Sequence, residues 1–485
     1  MAAGPAIEIR RMLKFSRILL LLLFSSTALA QSTLPADMEA ALNKAELPIS
    51  TLSVYVAPAG GGQPALELES GRAMSPASTM KLLTSLVALE ELGPAFRWKT
   101  QILGDATISK DVLRGNLYLR GGGDPNLSWE KLGMMLRTLR QQGLRKISGD
   151  LVLDRHYFQP QRPDLIGAPF DEHPDAYYNV IPDALLIHSN LTAIGLEANA
   201  DKLTAHLLTP LADVRLHNRL RLNDLPCSEW ESGWLSPTIA SKRDLLEITL
   251  NGSFPRRCQA STHLNLLDRN QYIARMLRAL WQEMGGSWQG QVRDGSVPDT
   301  AILLAERLSD TLADTLRIVN KQSDNGMARL LYLTLGAEAA ERNGGDTLPA
   351  AEARVRGWLA RHAIADDGLV LENGSGLSRL ERLSAHQLAA LLQAAALSNW
   401  SPEFTSSLPI AALDGTMRKR LHGSPAEQRA RIKTGTLNGS TAIAGYVKDS
   451  HEQQWIVVGI VNHPEARKAR AALDALICWV AEGRP

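Results

Sequence analysis

Ser78 and Lys81 stand three positions apart in the stretch Pro76-Ala77-Ser78-Thr79-Met80-Lys81. In a helix opening at about Ser78, positions i and i+3 share a face, so the hydroxyl and the amine can approach hydrogen-bonding distance. A serine hydroxyl is a weak nucleophile at neutral pH, and a lysine held in a dry site gives up its proton more readily than one in water. The pair therefore has the chemistry of a nucleophile beside its base. A Ser-x-x-Lys spacing alone is a weak signal, since Ser128-Trp129-Glu130-Lys131 repeats it in the same chain.

Two further elements supply what an acyl-transfer site would still need. Ser323-Asp324-Asn325 lies between two apolar helical segments, and Lys433-Thr434-Gly435-Thr436 leads into a pair of β-strands near the end of the chain. Taken singly, the first reads as a helix cap or turn and the second as a loop before a strand. Taken together and in this order, Ser-x-x-Lys, Ser-Asp-Asn and Lys-Thr-Gly are the motif set of penicillin-binding proteins and class A β-lactamases.

The elements that must position these groups can be read from the pattern of apolar residues. Residues 82–92 are apolar around most of a helix and end at Gly93-Pro94, as expected of a central core helix. Residues 51–56 and 65–69 alternate as a hairpin around Gly60-Gly61-Gly62, and residues 441–449 and 454–462 form the late strand pair ahead of an apolar C-terminal helix. Residues 161–258 are rich in proline and in short apolar runs, a mostly β module of separate character.

With 485 residues, the chain is too long for one ordinary core. An apolar content of 45%, a charged content of 21% and a formal charge of +1 fit a globular protein and give no basis for nucleic-acid binding. The N-terminus has the parts of a secretory signal. A basic region with Arg10, Arg11, Lys14 and Arg17 precedes the apolar residues 18–24, and Ala28-Leu29-Ala30 stands ahead of Gln31. The apolar run is much shorter than the roughly 20 residues a spanning helix needs, so cleavage without a lasting membrane anchor is expected. A start at Met12 would keep all three parts. In an exported chain, Cys227 and Cys258 are expected to pair, with Cys478 a buried thiol in the C-terminal helix. The cysteine spacing gives no metal-binding pattern.

Beyond the three motifs, Gly121-Gly122-Gly123-Asp124-Pro125, Asn373-Gly374-Ser375-Gly376-Leu377-Ser378-Arg379 and Leu408-Pro409-Ile410-Ala411-Ala412-Leu413-Asp414-Gly415-Thr416 resemble stretches of the class C low-molecular-mass penicillin-binding proteins, the penicillin-binding protein 4 type of D-alanyl-D-alanine carboxypeptidase/endopeptidase. Asn373 stands where that family usually has Asp, and Ala412 where Gly is common.

The resemblance implies an α+β fold: a β-lactamase/transpeptidase-like domain, an antiparallel sheet with helices, split by a long insertion that forms two further, mostly β, domains. The expected division is a signal peptide at 1–30, a catalytic domain from 31–98 and 301–485, one inserted domain from 99–160 and 262–300, and another from 161–261. It also implies a periplasmic serine DD-peptidase that acts on peptidoglycan stem peptides and cross-links, takes β-lactams as covalent inhibitors and uses no cofactor or metal.

In that reading Ser78 attacks and Lys81 accepts its proton. Ser323 relays a proton to the leaving amine, Asn325 orients the acyl amide and Lys433 supplies a positive field. Thr434 and Thr436 bind the terminal carboxylate around Gly435, and the N–H groups of Ser78 and Thr436 form the oxyanion hole. Asp124, Asn373 and Arg379 receive no catalytic role; Asp124 either meets a charged substrate group or caps its own turn. Two alternatives remain. A β-lactamase would need a deacylating glutamate that the sequence does not single out, and an idle wall-binding relative would be expected to have lost Ser78, Lys81 or Lys433.

Overall fold

The computed structural model describes residues 34–242, 244–339 and 345–485. The expected signal peptide lies outside the described residues. Among those described, no helix is long and apolar enough to cross a membrane.

The central feature is a five-stranded antiparallel sheet in the order Ala430–Leu437, Ser440–Lys448, Gln454–Asn462, Leu52–Pro58, Leu66–Leu68. Both faces are covered, which explains why its middle strands read as near-continuous apolar runs. Ile456, Val458 and Ile460 turn to one side and join the core built with the helices Met80–Leu92, Asn325–Ala337, Thr347–Arg361 and Ala385–Leu397. Val457 and Val461 turn to the other and meet the helices Ala36–Lys44 and Arg470–Ala481. Each such aliphatic side chain, once fully buried, contributes about 1.5–3 kcal/mol. The Met80–Leu92 helix is buried at every residue from Met80 to Leu89, as a helix apolar all round must be.

Between Trp98 and Ser309 the chain builds separate sheets. One carries the order Val292–Asp294, Leu151–Asp154, Leu117–Arg120, Lys99–Gly104, Ile302–Leu308. Further out are a three-stranded sheet around Thr192–Ala198 and a four-stranded sheet around Leu245–Pro255. Their apolar residues, from Ile102 and Leu151 to Ile194, Leu246 and Leu304, form one contiguous cluster. The strand Ile302–Leu308 pairs with Lys99–Gly104, so the chain leaves these sheets after Leu308 rather than at the expected 301.

Cys227 and Cys258 are disulfide-bonded. Cys478 departs from the expected full burial and is half-buried. The Arg470–Ala481 helix turns Leu473, Leu476, Ile477 and Val480 inward, which leaves Cys478 on its flank. The second Ser-x-x-Lys is structural: Ser128 caps the helix Trp129–Gln141 and Lys131 pairs with Asp310 at 2.9 Å.

Candidate active site

The α-helix expected to open at Ser78 begins at Met80, and Ser78 sits in a 3₁₀ turn, Ala77–Thr79, that feeds into it. In such a turn, positions i and i+3 eclipse one another, which brings the two side chains closer than an α-helical start would. Lys81 Nζ lies 3.0 Å from Ser78 Oγ. The entry is tight: Ala77 has φ +45°, and a Cβ on Gly376, itself at φ +81°, would lie 1.9 Å from the Ala77 carbonyl oxygen. Only glycine fits there.

Ser323 and Asn325 come from the junction between the helices Leu312–Lys321 and Asn325–Ala337. Ser323 takes φ +59°, and Asp324 caps the second helix by accepting the Met327 N–H at 2.8 Å. Asn325, the first residue of that helix, presents Oδ1 to Lys81 Nζ at 2.7 Å.

The third motif lies on the edge strand Ala430–Leu437. Strand alternation places Lys433 and Gly435 on one face and Thr434 and Thr436 on the other. Lys433 Nζ donates to Ser323 Oγ and to the Thr434 carbonyl, both at 2.8 Å. Gly435 is packed against the Ser78 turn, and Thr434 Oγ1 donates to Thr416 Oγ1 at 2.8 Å. Thr436 is exposed. The three motifs thus meet through Ser78, Lys81, Asn325, Ser323 and Lys433, drawn from a turn, a helix junction and a strand far apart in sequence.

Both lysines are fully buried. Burial pushes the Lys81 amine down to about 7, an effect that Asp324 and Glu381 oppose and Arg329 reinforces. Lys433 is pushed well below the ordinary lysine range, by burial first and by the charge of Lys81 second. Two desolvated amines, with no carboxylate bonded to either among the described residues, favour sharing less than two positive charges.

A neutral amine has two N–H bonds and one lone pair. Around Lys81 Nζ, Asn325 Oδ1 and the Ser375 carbonyl oxygen are both acceptors and take the two N–H bonds. The lone pair is left facing Ser78 Oγ. Neither Ser375 nor the residue that holds its loop, Glu381, was singled out from the sequence for this work. The buried carboxylate of Glu381 accepts the N–H groups of Asn373 at 3.0 Å, Gly374 at 2.7 Å and Gly376 at 2.8 Å. A glutamate two residues ahead of an apolar residue and a helix cap, as in Glu381-Arg382-Leu383-Ser384, gives no signal of such a role.

Asp124 caps its own turn, accepting the Asn126 N–H at 2.9 Å, and faces Arg307 at 3.9 Å. Asn373 Oδ1 accepts the Ser375 N–H at 3.0 Å, inside the loop that reaches Lys81. Arg379 lies over the Phe170 ring at 4.4 Å. A cavity of about 780 Å³ borders the same loop, with Phe170, Arg329, Asn373, Leu377 and Arg379 in its wall.

The D-alanyl-D-alanine carboxypeptidase of Actinomadura sp. (strain R39) is 29% identical over 485 residues, covering 95% of this chain and 88% of that protein. The D-alanyl-D-alanine carboxypeptidase DacB of Haemophilus influenzae is 26% identical over 397 residues, covering 80% of each. The crystal structure of penicillin binding protein 4 (dacB) from Haemophilus influenzae superposes with a TM-score of 0.72 at 23% identity, covering 91% of this chain and all of that one, a likeness of fold. The expected α+β fold of the β-lactamase/transpeptidase type, with its extra domains, is the fold seen. Residues 34–482 match the D-Ala-D-Ala carboxypeptidase 3 (S13) family as a single span, and the chain belongs to that family.

Proposed function

We propose that this protein is a penicillin-binding serine DD-peptidase that cleaves the D-Ala-D-Ala bond of peptidoglycan peptides through an acyl-enzyme. The observation that carries this reading is the Lys81 amine, 3.0 Å from Ser78 Oγ with its other two directions occupied by acceptors. Family membership and the carboxypeptidase relatives support the substrate class.

In the proposed cycle, Ser78 Oγ attacks the carbonyl carbon of the penultimate D-Ala while its proton passes to Lys81 Nζ. The oxyanion that forms is held by the N–H groups of Ser78 and Thr436. The C–N bond then breaks, and the leaving nitrogen takes a proton through Ser323, whose hydroxyl is hydrogen-bonded to Lys433. Asn325 orients the acyl amide, and Lys433 with Thr434 and Thr436 receives the terminal carboxylate. The proton that reaches the leaving nitrogen is the one Lys81 took from Ser78, so Lys81 is neutral again; it then accepts a proton from the water that attacks the acyl carbon, and returns it to Ser78 Oγ as the ester C–O bond breaks. A cross-link that joins a D-Ala carbonyl to an amine of a second stem peptide would be opened by the same steps with that amine as the leaving group, which gives an endopeptidase activity beside the carboxypeptidase one.

We also propose that residues 34–98 and 309–485 form the catalytic unit, with the intervening sheets as inserted domains, and that the protein works in the periplasm after its leader is removed. The cavity beside Arg379 is the proposed seat of the rest of the stem peptide.

Mass spectrometry of penicillin-treated protein tests the reading. A covalent adduct on a peptide spanning Ser78, absent in Ser78→Ala, is expected. An adduct that persists elsewhere in that variant would overturn it. The masses released from a muropeptide dimer and from its pentapeptide monomer separate endopeptidase from carboxypeptidase action.

A further inference from the structure

Glu381 is 1% exposed and forms no ion pair among the described residues, an unusual position for a carboxylate. It is satisfied by backbone. Oε1 accepts the N–H groups of Glu372 at 3.3 Å, Asn373 at 3.0 Å and Gly374 at 2.7 Å, and Oε2 accepts that of Gly376 at 2.8 Å. Its own N–H and that of Leu380 are held by Ser378 Oγ, each at 2.9 Å.

The four donors bracket Ser375, which is the one residue of 372–376 whose N–H does not reach Glu381. That N–H goes to Asn373 Oδ1 at 3.0 Å instead, and the Ser375 carbonyl turns to Lys81 Nζ. On the other side, Thr84 Oγ1 donates to the Gly374 carbonyl at 2.6 Å and pins the loop to the helix that carries Lys81.

We propose that Glu381 is a positioning residue for the general base: by gathering four amide N–H groups it fixes the Ser375 carbonyl as the second acceptor of Lys81 Nζ, and so aims the amine's lone pair at Ser78. The proposal rests on Lys81 being the base. An apolar residue at 381 would leave four buried N–H groups unpaired, and a neutral amide would oppose its own NH₂ to at least one of them. In either case the carbonyl would be free to turn, and the amine could spend an N–H on Ser78 rather than its lone pair.

The carboxylate also acts through space. The charged groups that face Lys81 are Asp324, Glu381, Arg329 and Lys433; Glu381 in turn faces Lys81, Arg329 and the Tyr332 hydroxyl. Burial raises the Glu381 carboxyl above its ordinary range and the four backbone N–H bonds act against that rise, favouring the carboxylate that accepts them. In that form its charge stabilises protonated Lys81, so its loss shifts the amine's titration to lower pH.

The test is stopped-flow acylation by a chromogenic penicillin, resolved into the dissociation constant of the first complex, the acylation rate constant and the fraction of titratable sites, each as a function of pH. In Glu381→Gln the rate constant at its plateau should fall about tenfold or more, within the range that general-base assistance supplies. The dissociation constant should stay within about twofold of the parent by the same reasoning, and the acid limb should move to lower pH.

Asn373→Asp combined with Glu381→Gln returns a carboxylate to the same turn and keeps the two acceptor bonds of residue 373 to Ser375, at the loss of the donor bond from Asn373 Nδ2 to the Leu377 carbonyl. It should move the acid limb back and recover part of the rate. Should Glu381→Gln not fold, Glu381→Asp, which draws the carboxylate back by one methylene, must show a slowed plateau in its titratable fraction. A reduced fraction of active sites with an unchanged rate constant and limb in that fraction would mean that Glu381 only holds the fold, and would overturn the proposal. Failure of the underlying reading looks different: Lys81→Ala would then acylate as fast as the parent.

Discussion

Gly435 faces the amide nitrogen of Ser78 so closely that a Cβ at 435 would lie 2.9 Å from it and 2.8 Å from the Pro76 carbonyl oxygen. The contact sets the gap between the edge strand and the Ser78 turn, and that gap is where the carbonyl of a substrate would have to sit. Gly435→Ala pushes the two apart without removing any reactive group. A displacement on the order of 1 Å costs about 100-fold in a reaction that depends on near-attack geometry. We expect acylation by penicillin to slow by about that factor, while the circular dichroism spectrum is retained. Unimpaired acylation would show that the strand's spacing to Ser78 is not what the reaction depends on.

Burial pushes the amine of Lys81 down to about 7, and in the proposed cycle its neutral form is the base. The fraction of neutral amine grows as pH rises through about 7, so the acylation rate constant should rise over that interval and level off above it. The same shift affects stability with a definite sign. Between about 7 and the usual lysine value of 10.5, the unfolded chain binds the proton that the folded chain has lost, so this group's contribution makes the fold more stable as pH rises through that window. Rate constants measured at constant ionic strength check the first part. An acylation rate independent of pH from 5 to 9 would remove Lys81 as the titrating base.

The side chains that meet at the candidate site were legible because their types and order are restrictive: Ser78, Lys81, Ser323, Asn325 and Lys433 can be named before any coordinate is known, and the resemblance to a family added the sheet that joins them. The sheet itself was legible in the apolar runs at 441–449 and 454–462. What the pattern did not carry depends on contacts distant in sequence. Ile302–Leu308 follows the expected boundary at 301, and only its partner, Lys99–Gly104, joins it to the sheets between Trp98 and Ser309. Ser375 meets Lys81 through a carbonyl, which every residue has. Glu381 accepts its four N–H groups through a carboxylate, but the turn of the loop that brings those amides to it is not announced by its residue type. The start of the helix at Met80 rather than Ser78 reflects the left-handed Ala77, a conformation that an alanine does not announce.

Ala412 offers a test of backbone strain. Its φ is +62°, in the left-handed region that favours glycine. Its N–H is held by the Met417 carbonyl at 3.1 Å, which locks the turn that leads to Asp414 and Thr416. A left-handed alanine costs roughly 1–2 kcal/mol, part of which glycine returns as greater freedom of the unfolded chain. Ala412→Gly should therefore raise stability by about 0.5–1 kcal/mol. Denaturant unfolding should show a higher midpoint with the same slope, whereas a lower midpoint would mean that the turn carries no such strain.

Lys433 predicts a proton taken up on binding. It is fully buried, its partners are the Ser323 hydroxyl and the Thr434 carbonyl, and no carboxylate pairs with it among the described residues. Its amine is held well below the ordinary range by burial and then by Lys81. A penicillin or a D-Ala terminus brings a carboxylate into contact with the 433–436 strand, and an opposite charge at hydrogen-bonding distance favours the protonated amine. The titration of Lys433 therefore moves up on binding. Protons are absorbed at pH values between its free and bound positions, and affinity rises as pH falls through that window. Acylation runs the other way, since it needs Lys81 neutral, and the two opposed trends should make the second-order acylation rate bell-shaped in pH. Calorimetry on Ser78→Ala, which binds but cannot react, isolates the first trend. Heats measured in two buffers of different ionisation enthalpy should report net proton uptake. Adding Lys433→Met should abolish the uptake and weaken binding by roughly 1.5–3 kcal/mol, the usual loss for a hydrogen bond to a charged group. If the double variant takes up as many protons as Ser78→Ala, the proton resides on another group, and Lys433 does not change its charge when the carboxylate arrives.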